Sequence, residues 1–256
     1  MRYLQRHAEV ETSYGGKFVK AIDGVATSDS DDRRRDWFYY VNGIEADTGA
    51  AERELAAGDR VWWDFRDWGT AMRVPAVVGS YPEPFVHGEQ GKRFPVRIDC
   101  GPGSSGACER VVDQLDRAGV AASTAAIGSV TGENVLRLVV GTWNEVRRDG
   151  AARQLEQGPR RSGVYARPVA SSTNGYVFDL LDQRGGVART LAAGGGLIAA
   201  TRFEEQAPTW VVSGTDRSGL DQAVEQLTEK ALRNRFAVAS DGKAIALPVA
   251  PEGEER

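Results

Sequence analysis

The chain has 256 residues, of which 41% are hydrophobic and 27% charged, with a formal net charge of −4. That is enough for one large domain or two of ordinary size, with the balance of a globular protein. It excludes a broad electrostatic attraction to nucleic acid or to an anionic membrane, and no apolar run approaches the ~20 residues that a membrane-spanning helix needs.

Residues 1–12 predict a helix, with Tyr3, Leu4, His7 and Val10 near one face, stopped by Gly15-Gly16. Phe18–Gly24 reads as a short strand and turn. The following ATSDSDDRRRD is a polar loop, its charges from Asp31 to Asp36 either solvated or a recognition patch. The most informative stretch runs from Asp36 to Trp68 and holds four of the six tryptophans, Trp37, Trp62, Trp63 and Trp68. It predicts two aromatic strands punctuated by Asn42-Gly43 and Gly58-Asp59 turns. Alternation places Trp37, Tyr39 and Val41 on one face of the first strand, opposite Phe38, Tyr40 and Asn42. In the second, Val61, Trp63 and Phe65 oppose Trp62, Asp64, Arg66 and Trp68. The more apolar set, Trp37, Tyr39, Trp63 and Phe65, is expected to be core. The other set is expected to be wet or to cover a neighbouring element. Three prolines in residues 74–86 disfavour a central strand, so an extended arm and a linker at 87–93 are expected there.

The second half opens with the strand FPVRIDC, a Gly-rich loop and the helix CERVVDQLDRAG, whose buried stripe is Val111, Leu115 and Ala118 and whose stop is Gly119. Strands follow at Val135–Trp143, Tyr176–Leu181, Leu197–Phe203 and Thr209–Thr215, with a helix near 149–158. LDQAVEQLTEKALRNR is the clearest helix, with Leu220, Ala223, Val224, Leu227 and Ala231 on one face. FAVAS and AIALPV predict a hairpin around Asp241-Gly242, and PEGEER a frayed tail at 251–256. LVVGTWNEV…VYAR and WVVSGTDRS…FAVA share an order of strand, Gly-Thr turn, polar helix and aromatic-led strand. This is either an internal strand-helix-strand repeat or chance similarity. The fold class expected is α+β, with the second half an α/β domain.

Cys100 and Cys108 are separated by seven Gly, Pro, Ser and Ala residues, flexible enough to join the two sulfurs; the pair is either a structural disulfide or two reduced thiols. Two cysteines with the distant His7 and His87 make no metal ligand cluster. GPGSSGAC before a helix suits a phosphate or carboxylate but lacks the Lys-Ser/Thr ending of a P-loop. No GxSxG is present, and Asp64, Asp67 and Glu83 show no paired-carboxylate pattern, so no catalytic residue is expected. Tyr40, Trp62 and Trp68 are the candidates for ligand stacking or partner docking, with packing against the second half as the competing reading.

The run YGGKFVKAIDG…DWFYYVNGIEADTGA…LAAGDRVWWDF resembles a bacterial domain family related to the C-terminal domain of transcobalamin and intrinsic factor, over residues 1–86. Gly15, Gly16, Phe18, Ile22-Asp23-Gly24, Trp37, Tyr39, Tyr40, Asn42-Gly43, Gly58-Asp59 and Trp62-Trp63 carry the likeness. The residues themselves give the linker at 87–93, the α/β domain at 94–250 and the tail; the resemblance implies a β-grasp fold for 1–86, here without its first hairpin. It further implies an export or lipoprotein signal upstream of Met1 and an extracytoplasmic or cell-surface location, whereas the literal N-terminus, which shows no secretory signal, points to the cytoplasm. The function it implies is non-enzymatic: a binding or accessory protein for a cobalamin-like or other cofactor-like ligand, linked to vitamin or metal uptake. The partner would be a transporter or helical-repeat protein, with no nucleic acid, and membrane contact only through an anchor outside this chain. The large helical domain that completes the cobalamin site in transcobalamin is absent, so a complete site would draw on another chain. A structural or protein-interaction module is the alternative, and a hydrolase or transferase activity in the α/β half is a third reading.

Overall fold

A computed structural model describes residues 1–30, 33–172, 175–204 and 206–250. Asp31 and Asp32 of the charged loop and the tail at 251–256 lie outside them. The fold is α+β, with three small antiparallel groups of strands and one larger mixed sheet. Among the described residues no helix is long and apolar enough to cross a membrane.

The helix expected at 1–12 is replaced by a single 3-10 turn, Leu4–Arg6, and strand β1 (Val10–Ser13). Two of the four β1 residues, Val10 and Thr12, are β-branched, and β1 gains an antiparallel partner in β2 (Phe18–Ile22), which also pairs β3 (Val25–Ala26). The next group contains β4 (Ser28–Ser30), β5 (Arg33–Val41), β6 (Ile44–Glu45) and β7 (Val61–Asp67). β5 pairs with β4 and β6 at its ends and with β7 along its length, in the register Trp37–Phe65, Tyr39–Trp63, Tyr40–Trp62.

The aromatic set expected as the core of β5 and β7 is not their buried set, although Val41, on the same face, is buried. Tyr40, Asp64 and Arg66 are buried, whereas Trp37, Tyr39, Trp63 and Phe65 are half-buried. The half-buried rings form a ladder, with centroids 5.1 Å apart for Trp37–Phe65 and 4.9 Å for Tyr39–Trp63. The polar face goes inward because its charges are matched there. The Arg66 guanidinium donates to the Tyr40 hydroxyl at 2.7 Å and meets Glu45 at 2.6 Å and Asp64 at 3.4 Å. It also lies 3.6 Å from the centre of the Phe38 ring. Burial pushes the Tyr40 hydroxyl well above the ordinary tyrosine range, despite the nearby Arg66. Burial works against the Arg66 charge too, but Tyr40, Glu45 and Asp64 outweigh it and raise its pKa.

The second half begins with β8 (Val96–Cys100), α1 (Ser105–Arg117) and β9 (Ala122–Ala126), a parallel strand-helix-strand unit, followed by β10 (Leu136–Thr142). A short α2 (Trp143–Val146) follows β10 directly, and the helix expected near 149–158 is divided into α3 (Gly150–Arg153), a 3-10 turn at Gln154–Gln157 and α4 (Pro159–Ser162). Gly158, at φ +76°, and Pro159 impose the last break. Strands β11 (Ala166–Ser171), β12 (Gly175–Leu181) and β13 (Val187–Leu191) form a separate antiparallel meander. β14 (Gly196–Thr201), β15 (Thr209–Gly214), α5 (Arg217–Gln226), α6 (Glu229–Leu232), β16 (Ala237–Ser240) and β17 (Ala244–Leu247) complete the chain. The long helix expected from Leu220 breaks at Thr228, whose hydroxyl caps α6 by accepting from Ala231 N–H. The predicted hairpin around Asp241-Gly242 is β16–β17.

The large sheet runs β17-β16-β14-β15-β10-β8-β9, parallel from β15 to β9 and antiparallel beyond. Leu136, Leu138 and Val140 of β10, with Ile98, Trp210 and Val212, face the apolar stripes of α1 and α5. Val139, Val211, Leu197 and Ala199 face the other way, onto Trp143, Leu155, Tyr165, Phe178 and Tyr40. The arm expected at 74–86 is instead a buried strap. Val77 N–H bonds Gly43 O on one side at 2.8 Å, and Val78 N–H bonds Phe236 O on the other at 3.1 Å. Tyr81 and Phe85 pack on Trp210, which gives their rings the burial an extended arm would deny them.

Arg66→Met is expected to lower unfolding stability by about 3–5 kcal/mol, because Glu45 and Asp64 stay buried without their cation. Urea midpoints measure this. Adding Glu45→Gln to Arg66→Met should recover part of the loss, since it removes one of the stranded charges.

Candidate ligand groove beside Trp62

The hairpin chemistry of the N-terminal sheet builds a groove against the second half. Asn42 (φ +54°) and Gly43 (φ +76°) form the turn between β5 and β6. The Asn42 carboxamide is buried and fully engaged. It donates to Asp59 Oδ1 at 2.8 Å and to Gly88 O at 2.9 Å, and accepts from Arg60 N–H at 2.9 Å. Asp59 in turn accepts from Ala56 N–H through Oδ2. The Gly58-Asp59 turn is thereby held in place, and Gly58 lies so close to His87 that a Cβ there would approach the ring to 2.6 Å. His87 is oriented by Glu83, which accepts from its backbone N–H and contacts its Nδ1 at 2.5 Å. Three residues past this turn, Trp62 stacks on Tyr40 at 5.4 Å and tilts against Phe236 at 5.2 Å.

Opposite Trp62 stand Glu229, Arg233 and Asn234, brought near by the strap at Gly79. Asn234 N–H bonds Gly79 O at 3.1 Å, and a Cβ on Gly79 would come within 2.6 Å of Arg235 N. Only glycine permits that approach. The space between is a groove of about 600 Å³, walled by Tyr3, Leu55, Arg60, Trp62, Ser80 and Arg233 among others. Arg60 spans it, pairing with Glu229 at 2.8 Å and donating to Tyr81 O at 2.9 Å.

The three aromatic candidates separate here. Trp62 lines the groove. Tyr40 has no exposed surface, so its candidacy as a ligand-stacking residue is corrected: it supports Trp62 from below and binds Arg66. Trp68 lies six residues along the strand direction from Trp62, about 20 Å at strand rise, outside the groove. Its indole donates to Asp36 at 2.8 Å and its ring receives Arg34. Arg60, Glu229 and Arg233 were not anticipated. The charged Arg60 follows the Gly-Asp turn and so was visible, but the other two are more than 160 positions away in the chain.

The Gly-rich loop after β8 forms a different kind of site. Cys100 and Cys108 are joined by a disulfide with Cα atoms 6.1 Å apart, tying the end of β8 to α1. The loop's anion-binding capacity is taken up by the chain's own Glu145. That carboxylate accepts from Gly103 N–H at 2.7 Å and the Ser104 hydroxyl at 2.8 Å, and from Thr142 N–H and Oγ1. It therefore joins the loops after β8 and β10, which leave the sheet on opposite faces; in open α/β sheets such switch points hold ligands. Burial tends to raise the Glu145 pKa, but these hydrogen bonds outweigh it and bring it below the ordinary 4.5. A depressed carboxylate stabilises the fold above its unfolded pKa and loses that effect as pH falls through its folded pKa. Glu145→Gln should therefore flatten the acid limb of stability below about pH 4.5, read from urea midpoints between pH 3 and 7. A thiol assay on denatured, unreduced protein should find no free thiol, and two after reduction.

Residues 1–67 match a family described as a domain of unknown function (DUF4430), a transcobalamin-like domain family. The match takes in β1 to β7 and the Trp62 wall of the groove, but not the facing wall formed by Glu229, Arg233 and Asn234. No curated protein matches the chain.

Proposed function

We propose that this protein is a non-enzymatic binding or accessory protein that works outside the cytoplasm and takes a cofactor-like ligand, a corrinoid first among them, in the groove beside Trp62. The observation that carries the reading is the groove itself: an aromatic ring at the edge of a transcobalamin-like domain, facing Arg60, Arg233 and Ser80 across about 600 Å³. Ligand sites of this kind combine an apolar platform with a few placed polar groups. The disulfide is compatible with an oxidising compartment. A groove open on one side covers only part of a corrinoid, which agrees with a second chain completing the site and with a role in handing ligand to an uptake system. A second reading, docking of a transporter or helical-repeat protein, draws on Trp68, which is part-exposed and lies outside the groove.

Titration with cobalamin, followed by tryptophan fluorescence and cobalamin absorbance, should show saturable binding. Loss of a stacked ring, worth about 1–3 kcal/mol, predicts about 5- to 150-fold weaker binding in Trp62→Ala. Trp62→Phe, which keeps a ring against Tyr40 and Phe236, should weaken it less, and Trp68→Ala should not change it. No spectral change up to high micromolar cobalamin overturns the corrinoid assignment. Pull-down of a protein partner that is lost in Trp68→Ala but kept in Trp62→Ala supports the docking reading.

A further inference from the structure

A second pocket, of about 420 Å³, lies on the other side of the large sheet from α1 and α5. It opens between the helical segment 150–161 and the residues that leave β14. Its lining is Gly150, Arg153, Gln154, Gln157, Arg161 and Phe203. Every charged group in that lining is a guanidinium. The carboxylate of this segment, Glu156, and the one just before it, Asp149, are committed elsewhere. Asp149 caps α3 through Ala151 and Ala152 N–H and pairs with Arg137. Glu156 accepts from Arg147 and from the Trp143 indole. Among the described residues, Arg153 and Arg161 have no ion-pair partner.

Gln154 supplies an independent sign of a ligand. It is only 5% exposed, and its Nε2 is shut off from water with no hydrogen-bond partner among the described residues. Buried amides in folded proteins are nearly always paired, so one left unpaired at a pocket wall marks a group waiting for a partner. Gln154 is one of the lining residues, and its carboxamide carries two N–H donors. The frame around it is rigid. Gly158 and Pro159 set the turn between Gln157 and Arg161, and the Thr201 hydroxyl donates to Ser162 O at 2.8 Å, tying this segment to β14. Arg202 donates to Gln206 O at 2.6 Å and shapes the turn that carries Phe203.

We propose that this pocket binds a small oxyanion with an apolar body: a phosphate or carboxylate group held by Arg153, Arg161 and Gln154, with a ring or short alkyl part resting on Phe203. Two guanidiniums and an amide donor, with no carboxylate in the lining, suit the geometry of such anions. The phenyl ring of Phe203 gives the rest of the molecule a dry surface. The site is separate from the Trp62 groove and does not depend on its assignment.

Calorimetric titration of the full chain in phosphate-free, low-salt buffer tests this with four probes: phenyl phosphate, benzoate, inorganic phosphate and benzyl alcohol. Saturable binding of phenyl phosphate or benzoate is expected, the stronger of the two identifying the oxyanion, with inorganic phosphate weaker and benzyl alcohol inactive. Arg153→Gln and Arg161→Gln should each weaken binding at least about tenfold. Both are surface changes, and circular dichroism checks that they fold. Gln154→Leu should weaken binding without lowering the melting temperature, because it removes a donor that the protein itself leaves unpaired. Trp62→Ala should leave this binding intact. The proposal is overturned if neither phenyl phosphate nor benzoate binds saturably, if the arginine variants bind as well as the original, or if Trp62→Ala abolishes the signal. Inorganic phosphate binding as tightly as phenyl phosphate overturns the role given to Phe203.

Discussion

The buried Arg66 guanidinium is the constraint on which the arrangement of this molecule depends. A charge placed in a protein interior must be matched, because the loss of hydration is worth several kcal/mol per ion. Here Glu45, Asp64 and the Tyr40 hydroxyl match it, and Phe38 lies flat against it. That set allows the polar face of β5 and β7 to turn inward. Once it does, Tyr40 joins the same apolar cluster as Val139, Tyr165, Phe178 and Val211 of the second half. The N-terminal strands and the large sheet therefore share core residues, and the more apolar ladder of Trp37, Tyr39, Trp63 and Phe65 stays half-exposed.

The strap at 74–86 and the Asn42 turn convert that packing into a groove. One side of the strap hydrogen-bonds the β5–β6 turn, and the other bonds the backbone before β16. Gly79 allows the two backbones to approach closely enough to bring Arg233 and Asn234 opposite Trp62. Asn42 then fixes the Gly58-Asp59 turn through side-chain hydrogen bonds to Asp59 and to the Arg60 N–H, which sets where Arg60 leaves the chain. The groove is thus a product of backbone contacts at two glycine-bearing turns. The pocket at Arg153 and Arg161 arises differently, from a helical segment broken into short pieces, with its carboxylates drawn away by Arg137 and Arg147.

Much of the fold was legible in local patterns. The stripe of Val111 and Leu115, the Gly119 stop, the β-rich runs at 136–142 and 209–214, and the Asp241-Gly242 hairpin all stand where periodicity and turn chemistry put them. The closed spacing of Cys100 and Cys108 permitted the disulfide that is present. Failures occurred where a distant partner outweighed the local signal. Val10 and Thr12 pair with β2 instead of continuing a helix. Thr228 prefers to cap α6 over sitting inside a longer helix. Of the site, Trp62 and the Gly-Asp turn were readable from sequence, while Glu229, Arg233 and Gln154 carried no local mark.

By itself, the sequence determined which residues share a face, where turns fall and which cysteines can meet, because each of these is set by bond geometry over a few neighbouring residues. Only the tertiary structure decided which face of the aromatic strands is buried. Alternation has a period but no sign, and the sign came from whether Arg66 could find Glu45, Asp64 and Tyr40 together in one interior. It likewise decided that Tyr40 is a support and Trp62 a wall, and that Glu145 fills the Gly-rich loop, since those outcomes rest on contacts between residues far apart in the chain.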